Sequence, residues 1–216
     1  ASLMLAGVMA VSMLAGCSNK PNEGTGEGEG TGSVTTSPVV SAVNDAQDKI
    51  DFTSDNSLTS ALKKAVAEIG AAGTDADTKL EEYVAKTTGV AYDEQLNGET
   101  RYDEKDGETK TIVKVVPVGS ENAWTQDAVV VNVTNAIKKV VDGLADTTFV
   151  KYDPEATILP GISTDNGATK VGDKYNNYSY TGTVTDLVSV TSMDGTTNYY
   201  VAYTITQTTS VLTYEA

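Results

Sequence analysis

By type and number, carboxylates are the residues of this chain best suited to acid–base chemistry. Asp93, Glu94, Asp103, Glu104, Asp106 and Glu108 crowd together, and a glycosidase needs two carboxyls held at a fixed separation across a pocket. Here they alternate with Arg101, Lys105 and Lys110 and stand beside Asn97-Gly98 and Asp106-Gly107, the composition of solvated hairpin ends. Acidic loops also suit calcium, a hard cation that takes oxygen ligands. Yet Asp103-Glu104-Lys105-Asp106-Gly107 has Tyr102 where the first EF-hand ligand would fall, and Asp75-Ala76-Asp77 lacks the later ligands. Nucleophiles fare no better. Ser163, in Gly161-Ile162-Ser163-Thr164-Asp165, lacks the second glycine of a nucleophile elbow. Gly161 to Lys170 misses the phosphate-loop spacing. Ser60 and Lys64 stand one helical turn apart, a spacing more often found on a solvated helix surface than in a catalytic dyad. With no histidine in 216 residues there is no imidazole base or imidazole metal ligand. The sequence therefore predicts no catalytic residue, no metal and no cofactor.

Composition narrows the partners. Fifteen basic residues face thirty acidic ones, a formal charge of −15 with pI ≈ 4.2, which argues against nucleic acid because phosphate neutralisation needs clustered Lys and Arg. A single cysteine rules out a disulfide within the monomer. At 39% hydrophobic and 21% charged, the chain can still fold.

That cysteine has a revealing neighbourhood. Residues 1–16 read ASLMLAGVMAVSMLAG, without a charge and too short for a membrane span. Leu14-Ala15-Gly16-Cys17 follows in frame and resembles the lipobox of bacterial lipoproteins. The resemblance implies that the Cys17 thiol takes a diacylglycerol and that cleavage leaves Cys17 as the mature N-terminus. No initiator Met or basic n-region precedes Ala1, so the chain is expected to begin inside the signal peptide. Residues 18–38 carry five glycines between Gly24 and Gly32, interleaved with Thr and Glu. This is a solvated tether of roughly 25 Å reach by the square-root rule for Gly-rich coil, closed by Pro38.

Beyond it, residues 39–216 alternate between two periods. Leu58, Ala61, Leu62, Ala65, Val66 and Ile69 form a helical stripe that Ser54 or Asp55 can cap. A weaker helix spans about 77–88, and a strong one covers 135–145. The latter could start as early as Glu121, although Val129-Val130-Val131 also suits a strand. Strands 90–96, 99–105 and 108–118, separated by two Xaa-Gly turns, predict a local meander pairing Glu94 with Arg101 and Asp103 with Lys110. Trp124 reads as a core or lid residue, and 146–174 as a polar loop available for protein contacts. Residues 175–216 contain no Lys or Arg and hold seven of the eleven tyrosines. A two-residue turn at Asp194-Gly195 would set Val190 opposite Tyr199, Val188 opposite Val201 and Val184 opposite Ile205. It would leave Thr183, Thr185, Ser189, Thr204 and Thr206 on the other face. Tyr200, Thr183, Thr185, Thr204 and Thr206 are the candidate ligand-facing residues, able to meet a glycan or a protein edge.

LTSALKKAVAEI at 58–69 aligns without gaps on VTNAIKKVVDGL at 133–144, and DGETKTIVKV at 106–115 on DGTTNYYVAY at 194–203. These matches predict an internal repeat, 54–118 and 129–214, each a helix followed by an antiparallel meander. The fold class is α+β, with helices on one face of the sheets. This order resembles, in topology alone, the β-lactamase-inhibitor-protein-like and PepSY-like modules. The expected protein is extracytoplasmic, held to the bacterial membrane through lipid on Cys17, and non-enzymatic. Its expected role is binding a protein or glycan. The alternatives are a transporter's substrate-binding lipoprotein or a structural envelope component without a small ligand.

Overall fold

The computed structural model describes residues 10–13, 37–69, 76–92, 96, 105–119, 125–151 and 174–213. The elements run β1 (Ala10–Met13), α1 (Pro38–Ala46), β2 (Phe52–Ser54), α2 (Asn56–Ile69), α3 (Ala76–Thr88) and β3 (Thr109–Val118). There follow α4 (Gln126–Asp142), β4 (Thr147–Lys151), β5 (Lys174–Val184), β6 (Val188–Thr191) and β7 (Thr197–Thr213).

The class is α+β, and the strands form one mixed sheet. Its spine is the 17-residue β7. One edge of β7 pairs antiparallel with β3. The other pairs with β6 and then β5, which together act as one bent strand. Outside that line, β4 pairs with β5, β2 joins β5 in parallel, and the backbone of β1 pairs with β6.

Both faces of the sheet carry helices, which corrects the expected one-sided layout. On the first face, Val129, Val133 and Ile137 of α4 and Val39 and Val43 of α1 pack over Ile112, Val201 and Ile205. On the second, Leu58 and Leu62 of α2 with Leu80 and Val84 of α3 pack over Val113, Val115, Tyr200 and Ala202. Each such fully buried side chain contributes about 1.5–3 kcal/mol relative to exposure. The reason for two covered faces lies in the pairing. β3 pairs with β7, Ile112 opposite Ile205, while the expected partner strand 99–105 lies, but for Lys105, outside the described residues. Directly opposed residues share a face, whereas the aligned equivalent of Ile112 is Tyr200, an odd number of residues from Ile205. Equivalent faces of the two aligned strands therefore point opposite ways, and the two aligned helices go with them.

Helix ends follow their capping residues. Asp55 Oδ1 accepts from the backbone N–H groups of Ser57 (2.7 Å) and Leu58 (2.9 Å) at the start of α2. Thr125 Oγ1 accepts from Ala128 N–H at 3.1 Å to open α4, so Val129-Val130-Val131 is helical. At the other end of α4, Lys49 Nζ donates to Leu144 C=O at 2.6 Å and pairs with Asp146 at 2.9 Å, a cation at a helix C-terminus. The helix α1 was not expected; Pro38, read as the end of the tether, is its first residue.

Side chains meet outward backbone groups at single positions of β2 and β3. Asn44 of α1 donates to Phe52 C=O (2.9 Å) and accepts from Phe52 N–H (2.9 Å). Gln47 does the same for Ile50, at 2.6 and 2.9 Å. Across the sheet, Glu81 accepts Val115 N–H at 3.2 Å and pairs with Lys114 at 3.2 Å. Pro117, two residues along, has no N–H to offer.

Candidate functional site

Acid–base and nucleophile candidates disperse into structural roles. Asp106 Oδ1 accepts Val211 N–H (2.9 Å) and Glu108 Oε2 accepts Lys105 N–H (3.0 Å), so both tie down the loop before β3. Ser60 is exposed and donates to Asn56 C=O within α2 at 2.8 Å. Asp75, Asp93, Glu94, Asp103, Glu104, Ser163, Trp124, the polar segment 152–173 and Cys17 with tether residues 18–36 lie outside the described residues. Among the described residues there is no cluster of three metal-ligating side chains and no helix long and apolar enough to cross a membrane. An open groove of 660 Å³ runs between the C-terminal ends of α1 and α4. Its two lysines are committed, Lys138 to Asp142 at 2.9 Å and Lys49 to Leu144 and Asp146.

What remains is the second sheet face beyond the reach of α2 and α3. On β7 that face carries Tyr200 and Ala202 under the helices, then Thr204, Thr206, Thr208 and Ser210. Registers on either side assemble these into rows. Thr204 stands opposite Thr183 of β5, which in turn neighbours Thr53 of β2. Thr206 lies between Thr181 of β5 and Thr111 of β3. Thr208 lies between Ser179 and Thr109, and Ser210 faces Asn177. Hydroxyl bonds cross the strands at Thr183–Thr204 (2.7 Å) and Thr111–Thr206 (2.8 Å). Thr53, Thr109, Thr181 and Ser179 are exposed, while Thr183, Thr204, Thr206 and Thr208 are half-buried. Half-burial is the state of central-strand residues flanked on both sides and overlain by no described helix. Neighbouring strands lie about 4.7–4.9 Å apart, and successive same-face residues about 6.6–6.8 Å apart. These rows contain no ionisable side chain, in a chain with 21% charged residues.

The candidate residues therefore separate. Thr183, Thr204 and Thr206 come together on this face. Tyr200 shares the face but is 4% exposed beneath α2 and α3, so it cannot meet a ligand there. Thr185 is fully buried in a bulge between β5 and β6, where its N–H donates to Ala202 C=O (2.9 Å) and its hydroxyl accepts Ala202 N–H (3.0 Å). Sequence reasoning missed Thr53, Thr109, Thr111, Thr181 and Thr208. The signal was present as Thr-Xaa-Thr in three strands, Thr109-Lys110-Thr111, Thr181-Gly182-Thr183 and Thr204-Ile205-Thr206-Gln207-Thr208.

Directly behind these rows, the first face is closed and partly polar. Gln207, 1% exposed, lies between Lys110 and Tyr180, with neither amide atom hydrogen-bonded. Tyr180 donates its phenol proton to Ala145 C=O. Gly182, also on this face, lies under the Phe52 ring, so a Cβ there would come within 2.5 Å of it. Burial, with the nearby charge of Glu81, pushes the Tyr203 phenol well above the usual range. At the β6–β7 tip, hydrogen bonds to Thr196 hold the Asp194 carboxyl below the usual carboxylate range.

Comparison with family models, with curated proteins and with solved structures finds no match to this chain.

Proposed function

We propose that the chain is a lipid-anchored, extracytoplasmic, non-catalytic binding protein of a bacterial envelope, and that it binds through the hydroxyl-lined half of its sheet face. The observation that carries the binding role is selective cover. Helices close the part of that face around Tyr200 and Ala202 and a large cluster on the opposite face, while no described helix overlies the neutral, in-register patch of Thr and Ser. The anchor rests on Leu14-Ala15-Gly16-Cys17 and the Gly-rich tether behind it. Two acyl chains would hold the protein firmly, at ~0.8 kcal/mol per buried CH₂. Processing before Cys17 would take β1 away with the leader and leave β6 as an edge of the mature sheet.

The test is metabolic labelling of the full chain with an alkyne fatty acid in a bacterial host, followed by membrane fractionation. Label and membrane retention should both be lost in Cys17→Ala. Equal fractionation of the two chains, without label, would sink the anchor.

We further propose that 54–118 and 129–214 derive from one helix-and-strand unit. A half-turn about an axis crossing the strands, with a shift of one strand along that axis, would carry the face of Val113 and Val115, which bears α2, onto that of Val201 and Tyr203, which bears α4. An experimental structure in which the two units fail to superpose under that rotation would end this idea.

A further inference from the structure

We infer that the occupant of the threonine face is a neutral, extended polysaccharide lying flat across β2, β5, β7 and β3. This rests on the reading of that face as the binding surface and adds the ligand class to it. The argument is one of complementarity. A carboxylate or phosphate ligand accepts only and seeks cations or several aimed N–H donors, and a basic partner seeks carboxylates. The rows offer neither, although the chain as a whole carries a charge of −15. They offer hydroxyls, each both donor and acceptor. In the Thr183–Thr204 and Thr111–Thr206 pairs one proton is shared between the two oxygens. Each pair is left with one proton to donate and spare lone pairs to accept, the same double capacity as a sugar hydroxyl.

Shape agrees with this chemistry. The face is a pleated sheet rather than a pocket, so it suits a chain or layer rather than a free monosaccharide. The threonine methyls give it apolar points between the hydroxyls, matching the C–H faces of pyranose rings. The cross-strand step of about 4.7–4.9 Å is close to the length of one sugar unit in an extended β-linked chain. Thr53, Thr183 and Thr204, then Thr181, Thr206 and Thr111, provide two such rows three strands wide.

The test uses the full-length chain in detergent with insoluble β-1,4-glucan particles, a soluble β-1,3-glucan and dextran, and polygalacturonate as the anionic control. Retention on at least one neutral glucan is expected, with little change between low and high salt because no ion pair is involved. The double variant Thr204→Val/Thr206→Val keeps the branched shape and loses the central hydroxyls. It should bind at least about tenfold more weakly, the scale of two lost hydrogen bonds, with its unfolding midpoint unchanged. Thr206→Lys, a charge in the middle of the face, should abolish retention in a chain that still folds. Four results would overturn the inference: no retention of the native chain on any neutral glucan; preference for polygalacturonate; undiminished binding by the double variant; or a dimer of the native chain that Thr206→Lys splits, which would make a second copy the occupant. Failure of fatty-acid labelling would instead sink the anchor and leave this result standing.

Discussion

Strand β7 passes through two environments without leaving one face of the sheet. Around Tyr200 and Ala202 the face lies under α2 and α3 and belongs to a closed core. From Thr204 onward the same face carries hydroxyls that stand open. Strand geometry is shared along this length, so the difference comes from what lies above. The first stretch is apolar under the helices; the second, overlain by no described helix, is polar and still paired on both sides from Thr204 to Thr208. Among the described residues, an uncharged surface of this width left open beside two helix-covered clusters is the property that calls for a functional account.

The comparison can be broken most forcefully in the covered stretch. Tyr200→Ala opens a cavity beneath α2 and α3 and should cost about 3–5 kcal/mol, the range for large buried aromatic rings. Thr206→Val, on the same strand and face, should stay within about 0.5 kcal/mol. Urea titration of both checks this, and equal losses would show that the open stretch is also core. Gly182→Ala comes next. Its new methyl runs into the Phe52 ring, so a loss of roughly 1–3 kcal/mol is expected from overpacking. A neutral outcome in thermal unfolding would mean that Phe52 has room to move.

Gln207→Leu should act in the opposite direction. It removes two buried, unpartnered amide atoms behind the threonine rows, and the midpoint should rise by the equivalent of about 1 kcal/mol. A fall would reveal a partner for that amide. The smallest effect belongs to the hairpin tip. The Asp194 carboxylate, lowered by hydrogen bonds to Thr196, contributes stability in full above its ordinary pKa. That contribution is lost as pH falls through the lowered native value. Asp194→Asn should therefore flatten the acid limb of the hairpin's amide chemical shifts while leaving Tyr200 and Thr206 untouched.

Much of this was legible one element at a time. The stripes Leu58–Ile69 and Val133–Leu144 identify α2 and α4, and Asp55 serves as the expected cap. Long-range pairing was not legible. Asp106-Gly107 is a strong local turn signal, and nothing near β3 announces that its partner begins some ninety residues later. The β5–β7 register shows why a face can be read correctly from a wrong alignment. The hairpin loop has three residues, Met193 to Gly195, with Gly195 at φ +85°. Val188 consequently meets Tyr200 rather than Val201. The bulge at Thr185 adds a second one-residue shift, after which Thr183 meets Thr204. Two shifts of one restore a period of two, so Thr183, Thr204 and Thr206 share a face as expected while Tyr200 and Thr185 do not serve as expected. For α1, Val39, Val40 and Val43 gave only one turn of pattern, and Pro38 read as the end of a linker.

The carboxamides of Asn44 and Gln47, with Glu81 and Pro117 on the far side, have a consequence at the scale of many molecules. An uncapped strand is adhesive toward any other strand, and adhesion grows with crowding. Chains tethered to one surface meet at concentrations no free protein in solution reaches. Asn44 answers the outward backbone groups of Phe52 in β2 and Glu81 the outward N–H of Val115 in β3, so chains anchored as proposed would meet at those two points without pairing there. In the anchored layer proposed above, protection at those two points would leave the edge of β6 as the place where neighbouring sheets could still join.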